Sequence, residues 1–292
     1  MILVVGATGL VGSVVCQKLA ARGEKVRALV RTTSAKEKVE ALRAAGVELC
    51  VGDLKNPDSL ATACRDAEAV ISTASSTLSR QAGDSIESVD GAGQMNLVNA
   101  AKVADVGRFL FVSFRHASGL SFPVGDAKLG VEKAITSMNF TILQASFFME
   151  VWLGPELGFD YANARARVCG QGTSPISWVS FVDVAEMCAV AIRHRAAERR
   201  TIEFGGPEPI SVMDVVSRFE KIGGKKFELE HIPEELLLAQ FKGATDSMQK
   251  TFAALMLWAA HGDAIDMAPV VDEFGIKLVS VDEYARSVVG TA

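Results

Sequence analysis

The sequence predicts an α/β protein built on a doubly wound parallel sheet, and three observations carry that expectation. The chain opens with an apolar strand at residues 1–5 that runs into Gly6-Ala7-Thr8-Gly9-Leu10-Val11-Gly12 and then into helix-forming sequence. Strand and helix patterns alternate through the first half of the chain, the rhythm of βαβ units. The strands are continuously apolar, as strands covered on both faces by helices are.

The glycines account for the opening unit. Gly6 permits a tight turn out of the strand, Gly9 removes the Cβ that would hold a pyrophosphate off the backbone, and Gly12 lets the helix pack closely on the sheet. Unpaired N–H groups and the positive end of the helix dipole then face an anion. The setting gives the motif its weight: a strand precedes it, a helix ending near Gly23 follows, and a second strand at 25–30 completes the unit. That strand ends in Arg31-Thr32-Thr33-Ser34, with Lys36 and Lys38 just beyond. Folds of this kind that bind NAD offer an acid here to the ribose hydroxyls, whereas an Arg accommodates a 2′-phosphate. The acid is missing, so NADP is the expected cofactor ahead of NAD. Arg31 is the primary contact, because a guanidinium meets a phosphate bidentately, and Lys36 adds a point charge.

Residues 47–51 form a third strand ending in Gly52-Asp53-Leu54, with a short helix after Pro57. A fourth strand at 69–73 is followed by a polar stretch from Ser75 to Ser85, expected to be an exposed loop. A longer helix covers 86–104, and a fifth strand at 109–112 closes at Ser113.

Composition limits the function. With 292 residues, 49% of them hydrophobic, the chain can bury a large core as one domain or as a large domain with a smaller lobe. A net charge of −5 without a long basic run argues against nucleic acid as a partner. The five cysteines show no metal-ligand spacing, no metal is expected, and Cys16 and Cys188 fall in helices as small core residues. A reducing cytosol fits this usage. The opening apolar run is too short for a signal peptide, and the best membrane candidate, 252–260, is too short to span. A cytoplasmic protein, monomer or homodimer, is therefore expected.

The segments GATGLVG, VRALVR, GDL and VDGAGQMNLVNAAKVADVGRFLFVS resemble the extended and atypical short-chain dehydrogenase/reductase superfamily. Within it, TILQASFFMEVW at 141–152, WVSFVDVAEMCAVAI at 178–192 and FGGPEPISVMDVV at 204–216 resemble the NmrA-like branch, a likeness that fades after Leu236. The resemblance implies a Rossmann domain at 1–150, to which 177–200 returns. It also implies a smaller C-terminal α+β substrate lobe, of 151–176 and 201–292, closing over the nicotinamide end. Carried onto matching positions, it makes Gly6, Thr8, Gly9, Leu10, Val11 and Gly12 the phosphate loop and Arg31 the 2′-phosphate contact. Asp53 with Leu54 would form the adenine edge, and Ala74 and Ser75 would lie along the nicotinamide ribose.

The superfamily's usual acid is a Tyr four residues before a Lys that lowers the phenol's pKa and binds the ribose. Lys128 follows the fifth strand and opens a helix, in register for that Lys, but the position four before it is Val124. The two tyrosines, Tyr161 and Tyr284, lie elsewhere. Lys128 is thus expected to hold the ribose or act as acid itself. Its best neighbours are Ser113, at the carboxyl end of strand five, and His116 in the loop after it, since His exchanges protons readily near neutrality. His194, His231 and His261 read as structural or solvated.

Phe147-Phe148-Met149 and Trp152 follow strand six, and Phe252, Met256 and Trp258 form a later apolar group. Each taken singly reads as core; together they suit an apolar substrate pocket. The resemblance therefore implies an NADP-dependent reductase passing hydride from NADPH to a small hydrophobic quinone or enone. Two alternatives stand beside it: a non-catalytic NADP(H)-sensing regulator, and a pathway-specific enzyme of the same fold with altered chemistry.

Overall fold

The computed structural model describes residues 1–79, 81–116 and 120–290. β1 (Ile2–Val5) is wholly buried and passes through the glycine loop into α1 (Leu10–Ala21). β2 (Val26–Val30), α2 (Lys36–Ala44), β3 (Glu48–Val51), α3 (Pro57–Cys64) and β4 (Ala69–Ser72) continue the alternation. Asn56 starts α3 by accepting from the N–H groups of Asp58 and Ser59, with Pro57 in the first turn where its missing N–H costs nothing.

The helix expected over 86–104 is two structures. A π-helical segment (Ile86–Gly93), capped reciprocally by Ser85 and Ser88, leads into α4 (Gln94–Val103). Gly93 closes the widened turn, since a Cβ there would lie 2.7 Å from the Ser88 carbonyl oxygen and 2.9 Å from Leu54. Such π turns in helices are frequent at functional sites. β5 (Arg108–Phe114) runs past Ser113, which therefore lies inside the strand and not at its close. α5 (Pro123–Ile135) begins ahead of Lys128, so that lysine sits within the helix and does not open it.

β6 (Phe140–Ala145), α6 (Met149–Trp152), β7 (Phe159–Asp160), β8 (Arg165–Cys169), β9 (Pro175–Ile176) and α7 (Phe181–Ala191) follow. The remaining elements are β10 (Arg200–Phe204), β11 (Ile210–Ser211), α8 (Val212–Gly223), β12 (Glu228–Ile232), α9 (Glu234–Gly243), α10 (Ser247–His261), α11 (Ala268–Phe274) and α12 (Val281–Val289).

The main sheet has seven strands in the order β3-β2-β1-β4-β5-β6-β10, with β1 parallel to both β2 and β4. The chain starts at β1, winds outward to β3, and returns to the other side of β1 at β4. That reversal is the switch point at whose carboxyl ends ligands bind in such sheets. β1 and β4 are buried along their whole length, as continuous apolar runs require, but β3 is not. As the outermost strand it has one neighbour, and its ends stay exposed.

The chain divides into two compact units. The first comprises Met1–Phe114, Pro123–Gln144 and Val184–Ile202; the second comprises Arg115–Phe122, Ala145–Asp183 and Glu203–Ala292. Leu3, Val5, Val70, Leu97, Phe109 and Phe111 anchor the core of the first. Cys16 and Cys188 are fully buried there, and burial pushes the Cys16 thiol up to about 12. The second unit holds a three-stranded sheet, β12-β8-β7, a β9–β11 pair and helices α8 to α12. Phe159, Phe219 and Tyr284 pack in its core, with the Tyr284 hydroxyl donating to the Leu153 carbonyl. Tyr161 stacks on the same Phe219. Burial raises the Tyr284 phenol above its ordinary value, so it is a packing residue, as Tyr161 is by its ring contact.

Candidate functional site

The glycine loop of the first unit is built by close backbone approach. Gly6 has φ +84°, and a Cβ on it would come within 2.7 Å of the Ala74 nitrogen and the Thr73 hydroxyl at the tip of β4. A Cβ on Gly12 would lie 2.2 Å from the Gly6 carbonyl oxygen. Gly12 therefore brings α1 against the loop itself, in addition to the sheet. Gly9 differs: its Cβ would meet only the Gly6 oxygen, at 3.1 Å, which leaves open the space above it. Gly9 is the N-cap of α1 without a side-chain cap, and no acid lies in the first turn. The N–H groups of Leu10, Val11 and Gly12 are left without intrahelical acceptors at the positive end of the dipole. An open, uncapped, glycine-lined N-terminus fits a diphosphate.

Arg31 points toward an unexpected partner. Its Nη1 donates to Asp84 Oδ2 at 2.7 Å, while Lys55 Nζ meets Asp84 Oδ1 at 2.6 Å and the Ser79 hydroxyl donates to Oδ2 at 2.6 Å. The Asp84 side chain is 3% exposed, so the stretch from Ser75 to Ser85 is not simply the exposed loop its polarity suggests. The contact takes one edge of the guanidinium and leaves the rest of its donor fork for a second acceptor. Lys36 is exposed at the start of α2; Lys38, two residues along the helix, donates to the Thr8 carbonyl at 3.0 Å and is the lysine that reaches the loop.

Burial works to raise the Asp84 carboxyl, but hydrogen bonds from Lys55, Ser79 and Arg31 together outweigh it and hold the group at about 2, below the ordinary 3.8. A carboxyl depressed on folding stabilises the fold above its ordinary value, and this contribution is lost as pH falls from 3.8 through about 2. Asp84→Asn should therefore cost about 2 kcal/mol near neutrality. Its denaturant midpoint should also fall less steeply than the parent's across that acid window. Parallel acid limbs would show that Asp84 is not held as described.

At the proposed adenine edge only one of two residues is available. The Asp53 side chain is partly exposed and accepts from the Lys55 N–H at 2.8 Å. Leu54 is buried in the core, so its side chain is packing and not a ligand edge. Ala74 and Ser75 are part exposed beyond β4; the Ala74 carbonyl accepts from Gln94 Nε2 at 2.8 Å, while Gln94 Oε1 accepts from Ser72 at 2.9 Å. Gln94 thereby fixes the tip of β4.

Lys128 is buried, its Nζ donating to the Val112 carbonyl at 3.1 Å and lying 4.9 Å over the Phe111 ring and 5.8 Å from that of Phe114. Desolvation lowers its pKa, opposed by the charges of Asp90 and Glu132. It is not the surface lysine that a helix-start position would suggest. The Ser113 hydroxyl is buried and has no hydrogen-bond partner among the described residues. Val124, four residues before Lys128, is fully buried. Asp90 and Asp84 are not singled out by their sequence context, since a lone buried carboxylate shows no periodic signal, and Lys38 is named there only as a neighbour of Lys36.

In the second unit, His116 follows Arg115, whose guanidinium pairs with Asp263 at 2.6 Å and Glu203 at 3.0 Å. Phe147 and Met149 are buried packing residues. The Phe147 ring meets Trp152 at 4.7 Å and Trp258 at 5.2 Å, joining the two apolar groups expected from sequence. Phe148 and Trp152 keep partial exposure. A cleft of about 630 Å³ in this unit is lined by other residues, among them Pro207, Ile265, Met267, Val271 and Leu278. Among the described residues no cluster of His, Cys, Asp or Glu could hold a metal ion. No described helix is long and apolar enough to cross a membrane.

The pattern of the NmrA-like family matches residues 1–285. The isoflavone reductase homolog IRL of Zea mays is 30% identical over 97% of this chain and 96% of its own length. The photosystem II assembly factor Ycf39 of Synechocystis sp. is 29% identical over 99% of this chain and 90% of its own. A crystal structure of NADPH-dependent quinone oxidoreductase from Escherichia coli, complexed with NADPH, superposes with a TM-score of 0.79 at 21% identity, covering 99% of both chains. At that identity the likeness is one of fold.

Proposed function

This chain belongs to the NmrA-like family, and we propose on that premise that it is an NADP-dependent reductase of a small hydrophobic quinone or enone. The observation that carries the reading is the conjunction, in one unit, of an uncapped glycine-lined helix N-terminus with a buried lysine. The names of the maize and Escherichia coli proteins support it. Bound NADPH would supply the hydride. The N–H groups beyond Gly9 hold the diphosphate, Arg31 takes the 2′-phosphate, and Asp53, Ala74 and Ser75 border the nucleotide. Lys128 places positive charge where the reduced substrate oxygen becomes negative. A quinone suits the site that lacks a Tyr, because its reduction leaves a stabilised phenolate that solvent can protonate. Ser113, in the unit that holds Lys128, is the polar contact proposed for such a substrate; Phe148, Trp152 and His116 lie in the second unit.

Arg31→Ala should cut NADPH affinity by roughly tenfold or more, the loss of a charge-assisted phosphate contact, and leave NADH affinity nearly unchanged. Calorimetric titration with both nucleotides measures this, and equal affinities in the parent would remove the NADP assignment. The second reading, a protein that binds NADPH without turnover, is favoured by the likeness to an assembly factor and by Val124 in place of Tyr. Steady NADPH consumption with a panel of quinones separates the two.

A further inference from the structure

The π-helical segment carries a carboxylate that the proposed chemistry has not used. Asp90 is 1% exposed. Its Oδ2 accepts from the Ser76 N–H at 2.9 Å and the Ser76 hydroxyl at 2.6 Å. Its Oδ1 is buried and accepts no hydrogen bond among the described residues. A carboxylate oxygen removed from water without a donor is costly unless a cation faces it.

The cation available to it is Lys128 on α5, the helix that packs on the π segment. Among the described residues, Lys128 Nζ donates to the Val112 carbonyl and lies over the Phe111 and Phe114 rings. β5 thus contributes two rings and a carbonyl but no charge. On α5 itself Glu132 is buried and accepts from Gln144 of β6 at 3.0 Å, whereas Asp126 and Lys133 are exposed. From α4, Lys102 reaches the Ala134 carbonyl, farther along α5. The negative charges felt at Lys128 are those of Asp90 and then Glu132.

We propose that Asp90 is a positioning residue for Lys128: its unbonded oxygen supplies the charge that keeps the buried amine protonated at the carboxyl end of β5, and Ser76 holds the carboxylate in place. Burial alone drives a lysine toward the neutral amine. A neutral amine gives no electrostatic support to an oxygen gaining negative charge. An Asn at this position would satisfy Ser76 as well as Asp90 does, through its own carbonyl oxygen. What it lacks is the charge.

The catalytic consequence rests on the reductase reading, but the charge coupling does not, and the test separates them. In the cofactor-free full chain, lysines labelled at ¹³Cε are titrated by NMR, with Lys128 assigned from its absence in Lys128→Met. Asp90→Asn should lower the Lys128 midpoint by about one unit or more, tenfold in acid dissociation, and Glu132→Gln should lower it less. Should Asp90→Asn fail to fold, Ser76→Ala carries the test, because losing the hydroxyl weakens the carboxylate's hold and lowers the midpoint in the same direction. A midpoint unmoved in the folded variant, or moved more by Glu132→Gln, overturns the proposal. Where a quinone is turned over, the alkaline limb of kcat should move with the midpoint. A shifted midpoint without turnover of any quinone keeps the coupling and removes the reductase reading.

Discussion

Lys128→Met should lower kcat about 10²–10³-fold at saturating NADPH, the effect of removing one preorganised charge from beside a developing oxyanion. Methionine matches the lysine stem in length and packs against Phe111 and Phe114, so the loss is electrostatic more than steric. Two stability effects oppose one another. The variant no longer desolvates an ammonium, and it leaves Asp90 buried without its cation. The thermal midpoint should accordingly stay within a few degrees of the parent's. Steady-state kinetics with a reducible quinone, calorimetry with NADPH and a thermal melt give the three readouts. Unchanged kcat at full saturation would show that Lys128 is not part of the chemistry, with the fold untouched.

Gly12→Ala and Gly9→Ala should separate the architecture of the loop from its ligand. At Gly12 the added Cβ would lie 2.2 Å from the Gly6 carbonyl oxygen and 2.7 Å from its carbon, both backbone atoms that cannot rotate away. α1 or the loop must shift, at a cost of about 2–3 kcal/mol, and the aligned N–H groups move with it. NADPH binding should be lost together with several degrees of thermal midpoint. At Gly9 the added Cβ has the Gly6 oxygen at 3.1 Å and otherwise open space. Gly9→Ala should therefore lose less thermal midpoint than Gly12→Ala, since the loop need give by only a few tenths of an ångström, yet bind NADPH at least about tenfold more weakly, because the methyl group occupies the space through which the diphosphate approaches the backbone. Full affinity in Gly9→Ala would place the diphosphate somewhere other than this helix terminus.

What the chain alone determined about this protein is what local chemistry dictates. A strand, three glycines and a helix occupy a dozen consecutive residues, and the demand that Gly6 adopt positive φ acts within that stretch. The alternation of apolar runs with helical patterns located β1, β2, β4 and β5. Arg31 could be named because it directly follows a strand end, which is a matter of sequence, whereas Lys128 was named by the register that the family resemblance implies. The tertiary structure decided which charges meet. Asp84 reaches Arg31 and Lys55 across separate crossovers of the sheet, and Asp90 meets Ser76 beyond β4 on a π segment that packs against α5. It also decided that β3 would be the exposed edge, that Leu54, Phe147 and Met149 would be packing, and that Lys38 and not Lys36 would reach the loop. Periodicity and turn chemistry are properties of neighbouring residues, whereas burial, pairing and the protonation of a buried amine depend on what the fold brings from elsewhere in the chain.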